Sequence, residues 1–234
     1  MKRIHVGLIG DFSANKHTHV ALNDCIEHCR KKLHFELVAE WVPTKEVNSF
    51  FLADNPYKGF WFTPGSPYLN DDGVYEAIRW SRENNFPAMG TCGGFQYMVI
   101  EYAQHVIGIK NAAHEESDPN AEQLIVSKLS CSLKGQQEEV HITDLDSWLY
   151  KILQTNKITG HFNCNYGVNP VHQRMINQYP FVFTAFSPTG EARAFELKAH
   201  RFYRGTLFQP PLVSSFEQPN PLVLDFLHEC SFDA

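Results

Sequence analysis

The sequence predicts an α/β fold, a mostly parallel central sheet flanked by helices on both sides. Three observations carry this. Strand-like and helix-like runs alternate through the first half of the chain, as in a sheet built from crossover units. A glycine-rich turn, Gly90-Thr91-Cys92-Gly93-Gly94, joins a short apolar run directly to a helical pattern. The chain has 234 residues, 43% of them hydrophobic, which is enough to bury a sizeable core as a single domain spanning 1–234.

In order, residues 4–9 read as a first strand and 18–32 as a helix. Residues 35–42 and 59–63 are strands. Residues 72–84 form a helix whose acidic first turn complements the macrodipole. A short strand at 87–90 runs into a helix over 94–106, with Phe95, Met98, Val99, Tyr102 and Val106 on one face. The second half is richer in β-pattern, with strands at 138–142, 181–186, 192–197 and 202–208 and a hairpin turn at Thr189-Gly190. A last helix covers 222–229. No repeat, low-complexity tract or linker interrupts the chain.

Net charge is −6, with Lys and Arg scattered, so no basic face for nucleic acid is expected. No apolar run reaches the roughly 18 residues of a membrane span. The start is too short in its apolar run for a signal peptide and reads as a strand, which points to a cytoplasmic protein. The six cysteines are dispersed, so a disulfide framework is not expected. Cys25, Cys29 and Cys230 extend apolar helix stripes and are expected in the core. His17, His19, Cys25, His28 and Cys29 lack the spacing of a tetrahedral metal set, and no metal or other cofactor is expected.

The chemistry lies in the glycine turn. Ligands of open α/β sheets bind beyond the carboxyl ends of the strands, where Cys92 stands. Glycines around it permit a strained elbow. Backbone N–H groups at the following helix start would lower the thiol pKa and stabilise an oxyanion. A second turn, Thr63-Pro64-Gly65-Ser66, offers a further oxyanion donor. The bland alternative is a small residue in a tight turn.

The segment GFWFTPGSPYLNDDGVYEAIRWSRENNFPAMGTCGGFQYMVIEYAQHVIGIKNAAHEES, residues 59–117, resembles the class I glutamine amidotransferases, most nearly the glutaminase domain of CTP synthase. The likeness continues in NYGVNP (165–170), in HRFYRGTLFQPPLVSSFEQPNPLVLDFL (200–227) and in the opening IHVGLIGDFSANKHTHVALNDCIEHC (4–29). It implies a flavodoxin-like three-layer sandwich with Cys92 as nucleophile and backbone oxyanion donors at Gly65 and Gly93. It also implies a ligand pocket drawing on Ser66, Gln96, Glu116, Asn165 and Tyr166. Glu116 matches the family residue that binds the substrate's amino group.

The resemblance breaks where the family completes its triad with F-H-P-E. Here the motif reads Phe208-Gln209-Pro210-Pro211, so Gln209 replaces the histidine and Pro211 the glutamate. An amide cannot take and return a proton near neutral pH, and proline has no side-chain acceptor. Gly93 replaces a bulky leucine and is expected to enlarge the pocket floor. The stretch 161–166 lacks the arginine that clamps the substrate carboxylate, a loss of about 1.5–3 kcal/mol in recognition. His161 and His114 are the weak candidates for a replacement base, and Cys164 for a second reactive thiol. The synthetase domain of CTP synthase and a P-loop motif are missing from the sequence, which reads as a stand-alone domain.

Two functions are therefore expected from different classes. One is a divergent thiol hydrolase or transferase acting through Cys92 on a small amide or amino-acid-like substrate, without competent glutaminase activity. The other is a pseudo-amidotransferase that binds a small ligand without turnover. Neither nucleic acid nor membrane is an expected partner. A homo-oligomer or a separate partner protein remains compatible with the sequence.

Overall fold

The computed structural model describes residues 2–232. Five strands form its parallel half: β1 (Arg3–Ile9), β2 (Glu36–Val42), β3 (Phe60–Phe62), β4 (Ala88–Thr91) and, from near the end of the chain, β12 (Tyr203–Thr206). Their order is β2-β1-β3-β4-β12, and every neighbouring pair is parallel. The sheet continues from β12 through β11 (Ala192–Leu197), β10 (Phe181–Phe186), β7 (Gln136–Ile142) and β8 (Lys157–Phe162), all antiparallel, to nine strands. A separate sheet of β5 (Ala112–His114), β6 (Gln123–Lys128) and β9 (Tyr166–Val168) stands beside it.

Burial explains why the parallel half reads as near-continuous apolar sequence. Successive strand residues point to opposite faces, and Phe60, Trp61 and Phe62 are all fully buried. Both faces of β3 are therefore covered. The covering helices are α1 (His17–Arg30) and α7 (Pro221–Ser231), which pack together over β1 and β2, and α3 (Asp71–Glu83) and α4 (Gly93–Tyr102), which pack together by β3 and β4. Shorter helices α2 (Ser49–Ala53), α5 (Trp148–Leu153) and α6 (Pro170–Ile176) cap the periphery. Cys25, Cys29 and Cys230 lie in the core beneath α1 and α7.

The helix after the glycine turn differs from its expected one-sided form. Every residue of α4 is buried, including Glu101, whose carboxylate is held by Arg82 at 2.8 and 3.0 Å. A π-turn at Ala103–Ile107 then ends the helix at Gly108, which takes φ 82°. Val106, expected on the apolar stripe, falls in that turn and is exposed. Among the described residues no helix is long and apolar enough to cross a membrane.

Candidate active site

β4 and β12 run parallel in register, with Thr91 beside Thr206. The residues that follow them therefore emerge at one end of the sheet: Cys92 at once, Gln209 three positions on. Cys92 has φ 52° and ψ −107°, a conformation that costs a non-glycine residue on the order of 1–3 kcal/mol. It is held there because its N–H donates to the Thr206 carbonyl at 2.9 Å and its carbonyl accepts from Gln96 N–H at 3.2 Å. A Cβ on Gly94 would stand 2.0 Å from the carbonyl oxygen of Phe62, so α4 starts this close to β3 only with glycine there.

Gly93 has a different role from the one expected. A Cβ on it would lie 3.1 Å from the Ser66 nitrogen and 3.2 Å from two backbone atoms of Gly65. The turn after β3 thus occupies the space that the absent leucine was expected to leave open, and Gly93 does not line the cavity. The two turns pressed together aim the N–H groups of Gly93 and Gly65 at the Cys92 sulfur. Gly65 adopts φ 115°, and the turn is pinned by His19, whose Nε2–H donates to the Pro64 carbonyl at 2.8 Å. His19 Nδ1 accepts the Ser13 N–H at 3.1 Å, which fixes the neutral tautomer. Burial lowers its pKa.

Cys92 opens on a cavity of about 380 Å³. Its deep end is made by Cys92, Cys164 and Gln209, which are 6%, 7% and 1% exposed. Gly65, Ser66, Gln96, Asn165 and Tyr166 form the wall, and Lys16, His17, Glu116 and Lys134 the exposed mouth. The Cys164 thiol hydrogen-bonds the Cys92 sulfur and, with the Gly93 and Gly65 N–H groups, outweighs burial and the Glu116 charge to lower the Cys92 pKa. The same contact, together with burial, pushes Cys164 well up. Of the two thiols, Cys92 is therefore the one whose ionisation is favoured.

Gln209 sits in the position the resemblance gives to the base. Its N–H donates to the His161 carbonyl at 2.8 Å, but side-chain Nε2 and Oε1 have no partner, although both are buried at the cavity's deep end. Pro211 lies buried in a 3₁₀ turn, Pro210–Val213, and does not reach the cavity wall. His161 contributes its backbone carbonyl rather than its ring to this region.

His114, the other base candidate, is turned into the wall. Its Nδ1 accepts the Glu116 N–H at 3.1 Å, its Nε2–H donates to Gln96 Oε1 at 3.0 Å, and burial lowers its pKa to about 4. With both nitrogens engaged, it has no free lone pair for Cys92. The wall around it is tightly tied. Gln96 Nε2 donates to the Tyr166 carbonyl at 2.8 Å, and Ser66 Oγ donates to Glu116 at 2.9 Å. Asn165 is held by Ser132 at 2.6 Å. Lys16 and Lys134 were missed from sequence: each is an ordinary loop lysine until the fold brings it to the mouth.

The model of the class I glutamine amidotransferases matches residues 19–203. The chain belongs to this family. Among curated relatives, the CTP synthase of Sulfolobus acidocaldarius is 28% identical over 98% of the chain, and that of Staphylococcus epidermidis 26% over 96%. The chain spans less than half the length of these CTP synthases, 46% and 44%. The solved glutaminase domain of Trypanosoma brucei CTP synthase, with bound acivicin, superposes with a TM-score of 0.87 at 23% identity, covering 97% of this chain and 94% of its own. A glutamine amidotransferase from Thermotoga maritima gives 0.62 at 10% identity, covering 98% and 99%. The expected fold, a three-layer amidotransferase sandwich, is the one observed, and it is similar to the CTP synthase glutaminase domain.

Proposed function

We propose that this amidotransferase-family chain is not a competent glutaminase, and that its Cys92 pocket receives a small amide or amino-acid-like molecule. The observation that carries this reading is Gln209: a buried carboxamide, unpaired at both atoms, facing the cavity where the family's base would act. A carboxamide binds but does not exchange protons near neutral pH. Among the described residues the one histidine lining the cavity is His17, at its exposed mouth.

What remains supports thiol chemistry. A lowered Cys92 pKa supplies nucleophile without a base. The thiolate would attack a carbonyl, and the resulting oxyanion would take the N–H groups of Gly93 and Gly65. Without a general acid, the reaction selects leaving groups that depart unassisted. At the mouth, Lys16 and Lys134 oppose Glu116, a charge pattern suited to a zwitterion and a substitute for the missing arginine. The unpaired Gln209 amide favours a second reading, in which the pocket binds its ligand without turnover.

Ammonia release from glutamine tests the first claim. The expected rate equals that of Cys92→Ser; a high rate abolished by Cys92→Ser overturns it. Calorimetry with glutamine on the wild type and Gln209→Ala reads binding separately, with weakened binding expected in the variant.

A further inference from the structure

The chemistry above leaves Cys164 without a step. It sits on the connection from β8 to β9, and the carbonyl of the preceding Asn163 lies 4.0 Å from Cys92 Sγ. That connection runs directly over the nucleophile. Its backbone is pinned, since the Cys164 carbonyl accepts the Leu133 N–H at 3.1 Å, and Cys164 lines the same deep end of the cavity as Cys92. Cys25 and Cys29 also form a pair, one turn apart on α1, but both are fully enclosed in the core. The Cys92–Cys164 pair differs in facing a cavity that solvent enters.

We infer that Cys92 and Cys164 form a dithiol–disulfide couple that reduces small peroxides entering the cavity. This chemistry suits what the site has and lacks. A thiolate attacking a peroxide oxygen breaks the O–O bond and expels hydroxide, which solvent protonates, so no histidine is needed. Cys92 becomes a sulfenic acid, oxidised by two electrons. The Cys164 thiol then attacks that sulfur, water leaves, and a disulfide forms. Two thiols and one hydrogen peroxide thus give one disulfide and two waters. An external dithiol reduces the pair again and is itself oxidised. The free Nε2–H of Gln209, buried at the same deep end, is a donor available to the peroxide or sulfenate oxygen. The couple does not depend on an amide ligand, and its test is separate from the ammonia assay.

The test uses the whole reduced chain treated with one equivalent of hydrogen peroxide, then unfolded, alkylated and mapped by mass spectrometry. The expected product is an intramolecular Cys92–Cys164 disulfide, with Cys25, Cys29 and exposed Cys131 recovered as alkylated thiols, and with dithiothreitol restoring the dithiol. Cys92 oxidation is expected at least about tenfold faster than that of Cys131, because the thiolate is the reacting form. In Cys164→Ser, a 1,3-dione should trap sulfenic acid at Cys92. Recovery of Cys92 and Cys164 as thiols under conditions that oxidise Cys131 would overturn the inference. So would a wild-type Cys92 that stops at sulfenic acid without forming the disulfide.

Discussion

The backbone N–H of Cys92 donates to the carbonyl of Thr206 at 2.9 Å, across two parallel strands that are far apart in sequence. This one bond sets the site. It fixes where β4 ends relative to β12, and so places the strained thiol beside the residues leading to Gln209. The register leaves no freedom to move one without the other, because slipping either strand by one residue would turn its side chains to the opposite face. Under the proposed function, what occupies position 209 decides the chemistry available to Cys92.

If the proposed function holds, a histidine at 209 with a glutamate at 211 should introduce proton transfer. The double variant Gln209→His, Pro211→Glu is expected to release ammonia from glutamine at least about 10²-fold faster than the wild type, the lower range for a positioned acid–base group. Gln209→His alone should gain less, since Pro211 cannot orient the ring. The gain should vanish when Cys92→Ser is added. A double variant that folds yet stays at the wild-type rate would mean that the substrate clamp, rather than the base, is the missing part.

Cys92 should alkylate as a thiolate below the ordinary cysteine range of about 8.5. Cys164→Ala removes the first of the contacts that lower its pKa, leaving the Gly93 and Gly65 N–H groups against burial. The inflection of alkylation rate against pH should therefore move up in that variant. Mapping by mass spectrometry, with Cys131 as the exposed comparison, reads both effects. An unchanged inflection would show that backbone donors alone hold the charge.

The parallel half of the fold was legible because its strands are buried on both faces and carry unbroken apolar runs, as in Phe60-Trp61-Phe62. Strands with mixed character were not. β8 reads Lys-Ile-Thr-Gly-His-Phe, and its half-exposed edge position gives it no apolar run to stand out. β5 and β9 have three residues each, below any periodicity. α6 did leave a signal in Asn169-Pro170, with the Asn169 side chain capping Val171 N–H at 3.1 Å and proline at the first helical turn. In the site, the elbow could be read because chemistry and local geometry coincide in five adjacent residues. The engagement of His114 and the closure of the space beside Gly93 depend on residues from other elements, and sequence spacing carries no record of them.

Gly94→Ala should be severely destabilising, and for a local reason. Its Cβ would meet the Phe62 carbonyl oxygen at 2.0 Å, a clash with backbone rather than with a yielding side chain. Strain of at least about 1–3 kcal/mol is expected from such overpacking, read as a lower midpoint in urea unfolding. Gly93→Ala, whose nearest atoms are 3.1–3.2 Å away, should cost less stability. It should nevertheless slow Cys92 alkylation, because it pushes the Gly65 N–H away from the sulfur. A Gly93→Ala variant with unaltered Cys92 reactivity would remove Gly65 from the set of thiolate donors.

His114 should make the fold acid-sensitive in a defined window. Burial holds its folded pKa at about 4, below the ordinary value of 6.5. Between these values the unfolded chain binds a proton that the folded chain excludes, so stability rises with pH across the window and falls as the pH drops. The contribution is fully present above about 6.5 and reaches at most about 3 kcal/mol across the interval. Below about pH 4 the folded protein is protonated as well, at the expense of the Glu116 N–H bond to Nδ1. Burial lowers His19 and His200 in the same direction, so each adds to the slope. Urea unfolding at intervals from pH 4 to 7 should show this rise. In His114→Gln the fold should be weaker at pH 7 and its pH dependence shallower; an unchanged slope would assign the acid sensitivity to the other buried histidines.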